Sequence, residues 1–221
     1  MLTGVPHYIL PGPLRVMQAI TGNWTFLLQH LMITLAEIMA GLFLGILLGT
    51  ATALIMYVSP LLKRWMLPVL VISQAIPVFA LAPLLVLWLG YGMASKIAMA
   101  ILIIYFPVTS SLFNGMNKTQ PELLELARVM DATTLSSLRY IVLPSALPGF
   151  AAGARVAAAV APIGAVIGEW VGSSSGLGYY MLHANARMQV DVMFAALAML
   201  VVLALGIYYF VDWALEKLIY W

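Results

Sequence analysis

The sequence predicts an all-α membrane protein, and three observations carry that prediction. Of 221 residues, 64% are hydrophobic and 8% charged, with a mean hydropathy of +1.04, where a soluble domain carries roughly 25% charged residues. Ten Lys and Arg with eight Asp and Glu cannot cover the surface of a soluble chain this long, so most apolar surface must face lipid or neighbouring helices. The second observation is a series of about five apolar runs near the ~20 residues that one bilayer crossing needs. The third is that Lys and Arg gather in the gaps between the runs. A net charge of +2 is too small to suggest nucleic acid, and the absence of cysteine excludes disulfides and thiolate metal sites.

Residues 1–25 contain Pro6, Pro11 and Pro13 in a short apolar segment, so they read as an irregular or interfacial lead-in, neither signal peptide nor span. Residues 26–221 are expected to form the transmembrane domain. Its first span runs from about Phe26 to Val58, interrupted only by Glu37, and is long enough that its outer end should stand in the interface. The second, Met66 to Leu89, carries Pro68, Pro77 and Pro83 and should be kinked or broken where carbonyls lose their partners. The third covers about Lys96 to Phe113, the fourth Leu147 to Val171 and the fifth Val192 to Trp213. Between the last two lies a Ser-rich loop with one short interfacial helix.

Orientation follows from basic residues. Lys63, Arg64, Lys118, Arg128, Arg139 and Lys217 fall on one side, Arg15, Lys96 and Arg187 on the other. The richer side is expected to be cytoplasmic, which places the N-terminus outside, the C-terminus inside and the Ser-rich loop outside. Gly41, Gly45 and Gly49 repeat every four residues on the first span, as Gly164, Gly168 and Gly172 do on the fourth. Such stripes let helix backbones approach closely in lipid. Packing within the chain, a subunit interface and a moving surface all remain open readings of them.

One stretch breaks the oily pattern: ELARVMDATTLSSLRYIVLP, Glu125 to Pro144. Ahead of it, Thr119 to Glu122 fits a capping box with Thr119 as N-cap and Glu122 reaching back. Leu123, Leu126, Ala127 and Met130 then form one apolar stripe, with Glu122, Glu125 and Arg128 on the remaining face. Asp131 interrupts, a second short helix should cover Thr134 to Tyr140, and Pro144 and Pro148 should stop it before the fourth span. Physics alone leaves two readings, a surface helix resting on its own bundle or a docking element for a cytoplasmic partner.

These residues resemble the signature loop of binding-protein-dependent ABC importer permeases, whose pattern is Glu-Ala-Ala, three residues, Gly, nine residues, Ile-x-Leu-Pro. Glu125, Leu126 and Ala127 match its start, Asp131 stands at the glycine position, and Ile141, Leu143 and Pro144 follow at the expected spacing. Leu126 replaces an Ala and Asp131 replaces the Gly. Asp tolerates a left-handed turn better than most residues. Further segments, LPVLVISQAIPVFALAPLLVLWLGYG and VIGEWVGSSSGLGYYMLHANARMQVD, are similar to the nitrate/sulfonate/taurine branch, which includes permeases for thiamine-precursor pyrimidines.

The resemblance implies a type I permease core of about five helices with a cytoplasmic coupling loop, residues 117–146. It implies a homodimer in a bacterial inner membrane, pairing with cytoplasmic ATPase subunits and an extracytoplasmic binding protein, with a small polar solute as cargo. Relatives carry an additional helix before the segment matching ILPGPLRV, so the expectation is either a reduced five-helix core or a truncated start. No G-x-x-x-x-G-K-[ST] loop occurs, so ATP and Mg are expected on the partner and no cofactor on this chain.

Rival chemistry rests on Gly172-Ser173-Ser174-Ser175-Gly176, which matches G-x-S-x-G and is followed by His183 and Asp191. An intramembrane serine hydrolase using Ser174 and His183 is one alternative, and a non-transporting sensor or scaffold is the other. The hydrolase motif needs a strand-to-helix turn with the acid before the histidine, and neither is evident here. His7, His30 and His183 are too scattered in sequence for a metal site. Glu37 and Glu169 stand out because a carboxylate within a span is costly unless it faces protein, water or a partner. With Gln74 and Pro77 at the break in the second span, they are candidates for the translocation path. The plainer reading of Glu169 is an interfacial residue bonded to the adjacent loop.

Overall fold

A computed structural model describes residues 9–219. The lead-in is partly regular: α1 runs Pro13–Gly22, because a proline in the first helical turn lacks only an N–H that would be unpaired there anyway. Pro6 and His7 lie outside the described residues. α2, Trp24–Val58, is one unbroken helix. α3, Pro60–Ala75, and α4, Val78–Leu89, meet at Ile76 and Pro77 with a bend of 103°. α5 covers Met93–Asn117, α6 Pro121–Val129 and α7 Thr134–Ser137. α8 is Leu143–Gly172, α9 Leu177–Ala186 and α10 Val190–Leu218.

Two glycine stripes fix how these helices run. Gly41, Gly45 and Gly49 of α2 abut Ala100, Ile104 and Val108 of α5 in rising order, so α2 and α5 are parallel. Gly168, Gly164, Gly153 and Gly149 of α8 abut Lys96, Ala100, Pro107 and Ser111 of α5, so α8 is antiparallel to it. Parallel α2 and α5 require the chain between them to return across the bundle, which makes bent α3 and α4 one crossing. With α10 set against α8, the described residues pass the bundle five times. Both stripes are filled from within the chain. A Cβ on Gly41 would lie 2.4 Å from Ala100 Cβ, and one on Gly164 would lie 2.7 Å from Ala100 Cα, so α5 is gripped on two faces at near-backbone distance. The surrounding core includes Ile38, Leu42, Ile104, Val108, Ala158 and Ala161.

The polar island departs from its expected form in three ways. Gln120, not Thr119, is the N-cap of α6, and no side chain caps it; Thr119 instead donates to the Met116 carbonyl at 2.9 Å, which ends α5 and removes the hydroxyl from the capping box. The buried face of α6 is Ala127 with half-buried Leu124, while Leu126 and Met130 are exposed. Nine residues offer one seat, and the smaller side chain takes it. Finally, Pro144 and Pro148 do not stop the second short helix. α7 passes through a π-helical turn, Leu138–Val142, directly into α8, giving one continuous helix from Thr134 to Gly172. In the wide turn Leu143 N–H bonds Leu138 C=O, so Pro144 enters in the first turn of α8, where its missing N–H costs little.

Candidate functional site

Polar side chains concentrate at the two ends of the bundle. At one end, where α2 and α5 finish and α3 and α8 begin, α6 shares its end of the bundle with Lys63, Arg64, Lys118, Arg139 and Lys217. Asp131 has φ +50° and closes α6 with two reverse bonds, Asp131 N–H to Arg128 C=O at 3.1 Å and Ala132 N–H to Ala127 C=O at 3.0 Å. This is a Schellman end with Asp where Gly is usual. Glu122, Glu125, Leu126 and Asp131 are exposed, Ala127 is buried, and Ile141, Leu143 and Pro144 are half-buried where the long helix begins. Val129 is 83% exposed, Met130 72% and Leu135 72%. These apolar side chains share their segment with Glu122, Glu125, Arg128 and Asp131, charges that hydrocarbon would not accept.

The opposite end holds a buried network. Lys96, which charge counting put on the outer surface, is buried; its Nζ lies 2.7 Å from Glu37 Oε1. Glu37 is likewise buried between helices rather than standing in the interface, and its Oε2 has no hydrogen-bond partner among the described residues. Glu169, also buried, accepts from Thr34 Oγ1 at 2.6 Å, from Tyr179 N–H at 3.3 Å and from Gly178 N–H. Leu177 N–H donates to Thr34 Oγ1 at 2.8 Å, and Gly176 N–H to His30 Nδ1 at 3.0 Å. The N–H groups that open α9 are thus all taken by side chains of α2 and α8, the carboxylate lying where the helix dipole favours negative charge. Gly176, at φ +109°, would place a Cβ 2.1 Å from Glu169 Oε1, so glycine is required. The expected interfacial helix of the Ser-rich loop is therefore a packed element, with Leu177, Gly178 and Ala184 buried.

Gln74 and Pro77 are exposed at the α3–α4 bend, apart from the network. In this structure Glu37 and Glu169 reach no surface of the chain. Arg155 is bonded to Asp212 of α10, a partner the sequence did not suggest. The hydrolase constellation does not assemble. Gly172–Gly176 joins two helices, the His183 ring lies against Tyr179 with centroids 4.2 Å apart, and Asp191 accepts its neighbour Val192 N–H at 3.0 Å. No hydrogen bond links Ser174, His183 and Asp191 among the described residues. His30 and His183, scattered in sequence, both lie against Tyr179. No group of three or more His, Cys, Asp or Glu suited to a metal occurs among the described residues.

Residues 41–219 match the family model of the binding-protein-dependent transport system inner membrane component. A probable ABC transporter permease protein of Haemophilus influenzae is 55% identical over 99% of this chain and 89% of its own length. The formylaminopyrimidine transport permease protein ThiX of Halalkalibacterium halodurans is 39% identical over 90% of this chain and 80% of its own. Among solved structures, an inward-facing form of the MetNI methionine ABC transporter superposes with a TM-score of 0.77 at 23% identity, covering 89% of this chain and 97% of that one. That likeness extends to the fold.

Proposed function

Since the chain belongs to the binding-protein-dependent inner membrane permeases of ABC importers, we propose that α6 and its Asp131 turn form its joint with a cytoplasmic ATPase and that two copies together enclose the path of a small polar solute. As a subunit of this family it is a multi-pass inner-membrane transport component without catalytic residues or a cofactor of its own. One observation supports the joint most directly. A short helix with charged residues holds Val129 and Met130 in the open, where neither lipid nor its own bundle covers them, so a protein surface is the fitting cover.

Closure of the ATPase pair on ATP would press on α6, and the continuous helix from Thr134 to Gly172 would carry that push to the end bearing Glu169 and α9. Alternating access follows as a rigid rocking of spans. The sequence resemblance and the ThiX relative favour a pyrimidine of the thiamine-precursor kind, with sulfonates as the neighbouring class. Gln74 and Pro77, exposed at the α3–α4 bend, enter this reading as residues that line the path, while Glu37 and Glu169, buried among α2, α5, α8 and α9, hold the moving unit together behind it.

Glu125→Lys is the test. It should keep membrane insertion and expression, weaken binding to the ATPase by about thirtyfold or more, and lose uptake, because reversing a paired charge at such a joint typically costs ~2–5 kcal/mol. Ala127 is not an equivalent probe: its burial in the chain's own bundle means that a bulky residue there unseats α6 itself. A Glu125→Lys permease that binds its ATPase normally and sustains uptake defeats the joint.

A further inference from the structure

The α9 end also contains a cavity of about 210 Å³ lined by His30, Tyr179, Tyr180, His183, Arg187 and Gln189. With Ala184 completing the lining, four of the seven residues are aromatic rings. His30 stacks on Tyr180 with centroids 5.0 Å apart and planes 23° from parallel, and Tyr179 meets His183 at 4.2 Å. Because His30 Nδ1 accepts the Gly176 N–H, the neutral ring carries its proton on Nε2 and presents a donor there. Arg187 is exposed and makes no salt bridge among the described residues; its guanidinium is a permanent, donor-only cation.

No acidic side chain lines the cavity, and Glu169 below it is occupied by α9 N–H groups. Arg187 and Gln189 flank Met188, whose φ of +58° closes α9 in a Schellman end, Met188 N–H to Asn185 C=O at 3.0 Å and Gln189 N–H to Ala184 C=O at 2.9 Å. That turn ends the helix with Arg187 and Gln189 both lining the cavity.

We propose that this cavity is a binding site for a small planar anion, a single aromatic or heteroaromatic ring bearing a sulfonate or carboxylate. The ring lies against the Tyr and His faces while Arg187 and His30 Nε2–H hold the anionic edge. The volume is below that of pockets for drug-sized ligands, about 300–1,000 Å³, and suits one ring. A cation would meet no countercharge here. The proposal rests on the permease reading in that the ligand would be a solute passing through or gating this end.

The test uses the permease with its ATPase in lipid nanodiscs and pyridine-3-sulfonate as probe, followed by saturation-transfer NMR. Saturable binding is expected, weakened about tenfold or more by Arg187→Gln and by Tyr180→Leu, the loss of one charged or stacking contact. Lys118→Gln, which lines a separate cavity at the α6 end, should bind as wild type. Cyclohexanesulfonate, an equal charge without a planar ring, should bind more weakly. The assignment is overturned if the wild type shows no saturable transfer or if Arg187→Gln binds undiminished. It is overturned equally if Arg187→Glu impairs docking of the binding protein while the probe never binds, since the cavity then seats a protein side chain. Normal ATPase co-purification and uptake in any of these cases would leave the permease reading standing.

Discussion

Lys96 is the residue on which the network at the α9 end turns. It is the sole cation paired with Glu37 among the described residues, and Glu37 and Glu169 are both buried. Lys96→Met should therefore destabilise the permease by about 3–5 kcal/mol, the usual cost of stranding one side of a buried pair, whereas Glu37→Leu with Lys96→Met should recover most of it. Thermal unfolding in nanodiscs checks both; a single mutant that melts with wild type removes the pair from any structural role. Glu169→Gln keeps the shape but not the charge opposite Gly178 and Tyr179 N–H, so α9 should fray and trypsin should cut faster after exposed Arg187. Sequence reasoning marked both carboxylates as anomalous in a span, and it gave Glu169 a hydrogen-bonded partner in the adjacent loop as one reading. It could not supply Lys96, because that partner stands 59 residues from Glu37 and meets it only through the parallel pairing of α2 and α5.

Among the elements, α6 and α5 show how far local pattern reaches. The left-handed turn at Asp131 was legible, since the resemblance puts a glycine there. Asp131→Gly should accordingly leave uptake unchanged or improved and shift stability by about 1 kcal/mol or less, relief of the left-handed strain being set against added chain entropy. A marked loss of ATPase binding would mean that the Asp131 side chain itself contacts the partner. The continuous helix into α8 was not legible. Its π turn leaves no compositional mark, and two prolines there look like stops. For the glycine stripes, spacing showed that something approaches closely but not what. Gly164→Leu, driven into the Ala100 backbone, should cost at least about 1–3 kcal/mol and much of the expression yield, while Gly206→Leu, with nothing within 4 Å, should be tolerated in a fluorescence-detected size-exclusion assay.

At the scale of the molecule the described residues form a five-pass bundle, and their count of crossings depends on α3 and α4. Reporters at Lys63, after Lys118 and at the C-terminus should read cytoplasm, and those at Tyr91 and Ser174 periplasm. A four-pass chain, with α3 and α4 dipping in and out on one side, would put Tyr91 with Lys63. Five apolar runs and the broken second span could be read from composition and proline alone. That the two halves of that span turn by 103° could not, because the angle is set by what α4 packs on, including Gly172 against Val86. The grip on α5 from both sides has a mechanical consequence. A seam in which the glycines of α2 meet the Ala100, Ile104 and Val108 side chains, and those of α8 the α5 backbone itself, has little slack for sliding: a shift of one residue along α2 would drive these side chains of α5 against residues that carry a Cβ. α2, α5 and α8 should therefore tilt together as one stiff lever with α6 as its handle, and any change in the width of the passage must come from the sparsely packed α3, α4 and α10 yielding around it.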